Sequence, residues 1–226
     1  MKRITWTIGL LALLALAGSA AAVDFWQGPP PGTWVRGGPG TTFEHWMFSE
    51  PVVDLPEIFD NPYGPPLADV DPANFEWGTW ECPPELDPRG FVEGFHCINP
   101  DGGVIILHIP NTETVAGAKS IFLQITSSKA PTDVSVFGMG TTPPYTSGSW
   151  NTGLPQIQWP GPAPFGGVWY TYNYGRVIRP NPQMEDIVIE VPYCTVIDQI
   201  VVDTICSPDP VGDESTSWSD VKALFR

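Results

Sequence analysis

The sequence predicts an all-β chain, an antiparallel sandwich of the jelly-roll kind, and three observations carry that prediction. Short apolar segments alternate with a period of two, turn-rich stretches separate them, and no helical period appears before residue 217. Proline adds weight: 27 of 226 residues leave little room for long helices, because each interior proline costs about 3 kcal/mol and removes a hydrogen-bond donor. Gly and Pro are abundant, but aromatic residues make up 12% of the chain, which argues for a packed core rather than disorder.

Each element follows from local pattern. Lys2 and Arg3 precede an apolar run from Ile4 to Gly18, and Ala20-Ala21-Ala22 supplies small residues suited to cleavage, so residues 1–22 read as an export leader. The run is short for a membrane anchor, and no comparable run follows, so no integral span is expected after cleavage. Residues 23–76 form a Pro/Gly-rich opening segment with a strand expected at Thr42 to Phe48. The main domain is placed at residues 77–206, with strands contributed from 42–76. Within it, a cysteine-flanked loop leads to Val104–Ile109, a short apolar run bounded by turn residues. Ile121, Leu123 and Ile125 alternate with polar or aromatic neighbours, as do Val134 and Val136, then Ile187, Ile189 and Val191. The last strand is expected from Thr195 to Cys206, with Val196, Asp198, Ile200 and Val202 on one face and Ile197, Val201, Asp203 and Ile205 on the other. Residues 207–226 read as an acidic linker and a short amphipathic helix started by Ser217-Trp-Ser-Asp220.

Charge limits the partners. The chain carries 10 Lys+Arg against 25 Asp+Glu, and loss of the leader takes the net charge from −15 to −17. Nucleic acid is therefore excluded as an expected partner, since phosphate binding needs clustered Lys and Arg.

Four cysteines, Cys82, Cys97, Cys194 and Cys206, suit an exported chain with two disulfides, and the sequence permits three connectivities. Cys82 with Cys97 is plausible across a loop. Cys194 with Cys206 needs a bend, because a straight strand between them spans roughly 40 Å; otherwise the late cysteines pair with the early ones. The spacings and the three histidines do not fit a zinc site.

Two constellations point to binding. In Trp169-Tyr-Thr-Tyr-Asn-Tyr174, a strand puts Tyr170, Tyr172 and Tyr174 on one face at roughly 7 Å intervals, close to the repeat of sugar rings. Exposed, that row is a platform for polysaccharide or cell-surface glycan, with Trp150 and Trp159 at its edge. Turned inward, it is a core face with cross-strand contacts. Separately, Asp198 and Asp203 with Glu57 and Asp60 offer oxygen ligands for a structural Ca2+ ion if the two ends of the chain meet in one sheet.

Ile121–Thr126, Trp169–Tyr174 and above all Val196-Ile-Asp-Gln-Ile-Val-Val-Asp-Thr-Ile-Cys206 followed by Ser-Pro-Asp-Pro resemble exported bacterial β-sandwich proteins, many of which end in PEP-CTERM sorting tails. The last strand is also similar to that of jelly-roll carbohydrate-binding modules, and this implies a structural calcium at Asp198. The sorting tail itself is missing here, since neither a transmembrane run nor an arginine cluster follows Pro210. Trp218 to Arg226 instead resembles short aromatic and basic endings of other exported bacterial proteins.

No G-x-S-x-G, H-E-x-x-H, P-loop or dinucleotide fingerprint is present. The expectation is a secreted, non-catalytic carbohydrate-binding module, with a structural or adhesive surface component as the alternative. A jelly-roll glycoside hydrolase, with a carboxylate pair such as Glu57 and Asp60 or Glu81 and Glu85, is the second alternative.

Overall fold

The computed structural model describes residues 29, 33–51, 54–82, 89–111, 117–139, 157–159 and 169–207. The leader, Glu85, Trp150, the acidic linker and the expected terminal helix lie outside them. Among the described residues every regular element is a strand, and no helix there is long and apolar enough to cross a membrane.

Twelve strands run in order: β1 Thr41–Trp46, β2 Ile58–Asp60, β3 Leu67–Val70, β4 Phe75–Glu81, β5 Phe91–Cys97, β6 Gly103–Pro110, β7 Ala118–Ser127, β8 Asp133–Met139, β9 Ile157–Trp159, β10 Trp169–Ile178, β11 Met184–Val191 and β12 Val196–Ser207. They form two antiparallel sheets. The larger has the order β2-β1-β12-β7-β10-β9, with β5 joining β12 and β4 joining β5; the smaller is β3-β6-β11-β8.

Period-two patterning explains how the sheets meet. Ile105, Leu107 and Ile109 of β6, Val134 and Val136 of β8, and Ile187, Ile189 and Val191 of β11 point inward from the smaller sheet. Ile121, Leu123 and Ile125 of β7 and Ile200 and Val202 of β12 meet them from the larger one. Each such side chain contributes about 1.5–3 kcal/mol by leaving water, so the shared apolar layer fixes the register of both sheets.

Strand β12 corrects one expectation. Its register against β7 shifts between Ile197 and Gln199, so the extra residue, Asp198, turns Ile197 onto the core face with Ile200 and Val202. The same region brings β5 close: a Cβ on Gly94 would lie 2.2 Å from the Ile197 carbonyl oxygen, so only glycine fits there. β1 and β5 thus lie along the same side of β12, β1 against Ile200–Ile205 and β5 against Val196 and Ile197.

Candidate functional site

The tyrosine row faces inward. On β10, Tyr172 pairs with Ile125 and Tyr174 with Leu123, residues already committed to the core. The tyrosines are 6% and 9% exposed, and Tyr170 packs against the same cluster, its ring 5.5 Å from that of Tyr172. Burial pushes both inner phenols up to about 12, helped at Tyr172 by its tyrosine neighbours and at Tyr174 by Asp133. The expected exposed platform is therefore replaced by a core face. Trp159 lies on β9 opposite Trp169.

The four expected calcium ligands are also dispersed in role. β1, β2 and β12 do lie side by side, so the two ends of the chain meet in one sheet as the calcium reading required. Glu57, however, accepts the backbone N–H of Met47 at 2.8 Å and of Ser49 at 3.0 Å. Asp203 is buried in a two-pronged ion pair with Arg36, whose guanidinium also lies 3.7 Å from the Phe43 ring centre. Desolvation raises the Asp203 carboxyl, and Arg36 opposes the shift. Asp198 occupies the bulge and Asp60 is exposed on β2. Among the described residues no group of three or more His, Cys, Asp or Glu side chains is placed to hold a metal ion.

The cysteines correct the first two pairings. Cys82 lies beyond the end of β4, its N–H bonded to Gly90, while Cys97 is paired with Phe75 at the other end of the same hairpin, roughly 20 Å away along the strand. Cys194 and Cys206 lie at opposite ends of β12. Cys97, Cys194 and Cys206 are free thiols.

Patterning alone did not single out the cluster that closes one end of the core. Lys119 of β7 and Glu185 of β11 form an ion pair between the sheets, both fully buried. Glu44 of β1, also fully buried, accepts Asn61 Nδ2 at 3.0 Å, and the same amide donates to the Pro110 carbonyl at 3.1 Å, tying the sheets together. Desolvation raises the Glu44 carboxyl to about 8, opposed chiefly by the charge of Lys119. It likewise raises Glu185, with Lys119 again opposing. The cluster therefore holds one lysine and two buried carboxyls, and the Glu44 carboxyl stays protonated at neutral pH. Beside it, the Thr42 and Thr204 hydroxyls share a 2.8 Å bond, Asn111 donates to Asn181 at 2.6 Å, and the Cys206 thiol donates to Asn111 Oδ1 at 2.9 Å. The signal for it was phase: Lys119 is in step with Ile121, Leu123 and Ile125, and Glu185 with Ile187 and Ile189.

The outward face of the larger sheet carries a second polar array. Gln124 of β7 donates to Asn173 of β10 at 2.8 Å, the Thr126 and Thr171 hydroxyls share a 2.9 Å bond, and His45 Nε2 donates to Gln199 Oε1 at 2.7 Å. These side chains alternate with the core residues of the same strands and are buried. Trp169, fully buried, lies on this face with Val92, Val196 and Cys82. The acceptor Gln124 Oε1 and the donor Trp169 Nε1 on this face are buried with no hydrogen-bond partner among the described residues.

No protein-family model and no curated protein sequence matches the chain. Among solved structures, 17 chains match. One is the enzymatically active domain of tailspike protein 4 of bacteriophage CBA120, at 10% identity and a TM-score of 0.32. The match covers 63% of this chain and 19% of the tailspike chain, and at that TM-score it carries no argument about fold or activity.

Proposed function

We propose that this chain is an exported, non-catalytic β-sandwich of the jelly-roll kind that binds carbohydrate through the outward face of its larger sheet rather than through the tyrosine row. The observation that carries the reading is that the acceptor Gln124 Oε1 and the donor Trp169 Nε1 on that face have no hydrogen-bond partner among the described residues. A buried polar atom without a partner costs about 1–3 kcal/mol, and a sugar hydroxyl both donates and accepts. Gln124 pairs with Asn173, four residues along β10 from Trp169, so the two atoms' residues stand roughly 13 Å apart along the strand. Export rests on the leader at residues 1–22, and kinship on the resemblance of β12 to exported bacterial β-sandwich proteins. Of the carboxylate pairs considered for a hydrolase, Glu57 is engaged by backbone amides and Glu85 lies outside the described residues.

The test is a pull-down of the leader-free chain on insoluble polysaccharides with a glycan array, beside Gln124→Ala and Asn173→Ala variants checked for folding. Binding by the parent and at least tenfold weaker binding by both folded variants is expected. No binding across the panel overturns the reading in favour of a structural or adhesive surface component. One observation favours that second reading: the side chains of the same face are buried, as those of a purely structural layer would be.

A further inference from the structure

We propose that Cys97 and Cys194 form a disulfide site that clamps β5 to the start of β12. β5 and β12 pair through Phe95 with Ile197 and His96 with Val196. One step further, the Cys97 N–H donates to the Thr195 carbonyl at 2.8 Å, and the Cys194 N–H donates to the Cys97 carbonyl at 2.9 Å. Two residues, Cys194 and Thr195, therefore oppose the single residue Cys97, which is a bulge whose first member is left-handed, with φ 60° at Cys194. Glycine is the usual occupant of that position. A residue with a Cβ is strained there, so backbone comfort does not account for a cysteine at 194.

The two hydrogen bonds that meet at Cys97 hold the two backbones at neighbouring-strand separation, within the Cα spacing a disulfide spans. In this structure the two thiols are unjoined and Cys97 Sγ donates to the Val191 carbonyl at 3.7 Å, so closure requires the Cys97 thiol to turn from that acceptor toward Cys194. The exposures are complementary: Cys97 is fully buried, and Cys194 is partly exposed. Burial raises the Cys97 thiol, and the neighbouring Cys194 raises it further, so the accessible Cys194 is the first to react. Its thiolate attacks a small-molecule or protein disulfide of the oxidising compartment, releasing one donor thiolate and leaving a mixed disulfide. Cys97 then gives up its proton and attacks the Cys194 sulfur, displacing the second donor thiolate. Two protein thiols are oxidised and one donor disulfide is reduced to two thiols. Cys82 lies at the far end of the β4–β5 hairpin and Cys206 at the far end of β12, both remote from this bulge.

The experiment equilibrates the folded, full-length leader-free chain in an oxidised-glutathione buffer and maps peptides by mass spectrometry without reduction. A linked Cys97–Cys194 peptide with Cys82 and Cys206 still free is expected. The linkage closes a long loop, so the oxidised form should melt about 10 °C above the reduced one. Cys194→Gly separates the cross-link from the backbone, because glycine suits the left-handed position. It should match or exceed the parent under reducing conditions and melt below it under oxidising ones. Free Cys97 and Cys194 in the oxidised sample, a Cys82–Cys97 or Cys194–Cys206 peptide instead, or a Cys194→Gly variant at least as stable as the parent in oxidising buffer would each overturn the proposal.

Discussion

Replacing Glu44 with glutamine removes a carboxyl whose pKa burial raises to about 8 while keeping an oxygen that can accept Asn61 Nδ2. In the unfolded chain this group titrates near 4.5. Between those two values the unfolded state is ionised and the folded state is not, so unfolding releases a proton and stability falls as pH rises. The full effect is present below pH 4.5 and is lost by about pH 8, above which the profile levels. At about 1.4 kcal/mol per pKa unit, the whole window corresponds to roughly 5 kcal/mol. Lys119 lies beside the group, and partial relaxation around it should reduce the observed change to about 2–3 kcal/mol. Urea unfolding of parent and Glu44→Gln at pH 5, 7 and 9, extrapolated to water, reads the difference directly. The variant should gain on the parent by about 2 kcal/mol between pH 5 and pH 9. Parallel profiles would refute the assignment of a neutral, buried Glu44.

Lys119→Met should cost about 3–5 kcal/mol at pH 7 by urea unfolding, because it leaves Glu185 buried without its ion-pair partner; a loss under 1 kcal/mol would show that the pair is solvated. Gly94→Ala forces a Cβ to 2.2 Å from the Ile197 carbonyl, so loss of soluble folded protein, or destabilisation above about 3 kcal/mol, is expected from expression and thermal melting. Chelation with EDTA should leave Tm unchanged to within about 1 °C, since Arg36 neutralises Asp203 and backbone amides hold Glu57; a marked fall would restore calcium.

The most readable strands were those where aliphatic residues alternate or run together, β6, β7, β8, β11 and β12, and β1 and the aromatic β10 were legible as well. β4 and β5 read as a cysteine-flanked loop because Gly78 and Gly94 sit at their centres and Trp, Glu and Thr blur the alternation. Periodicity put Tyr170, Tyr172 and Tyr174 on one face but carried no information about which way that face turned. The β7 partners Ile125 and Leu123 decide it. The same ambiguity placed Ile197 on the wrong face, because the bulge at Asp198 arises from pairing with β7, a tertiary event with no local signature. Lys119 and Glu185 were in phase with core residues all along. A charge on an apolar face is read as noise until a second charge on the opposing sheet is seen to meet it.

Arginine supplies a similar lesson. Arg36 falls in a Gly/Pro-rich stretch with no periodic signal, yet it lies over Phe43 and neutralises Asp203, 167 residues away in sequence. Asp203 looked available as a cation ligand only while that distant partner was invisible.

The measurement that bears most directly on the central claim compares polysaccharide affinity across three folded proteins: the parent, Asn173→Ala on the outward face and Tyr172→Phe on the core face. Binding through Gln124, Asn173 and Trp169 predicts at least a tenfold loss for Asn173→Ala and no change for Tyr172→Phe. Equal binding by parent and Asn173→Ala, or loss confined to Tyr172→Phe, would contradict it.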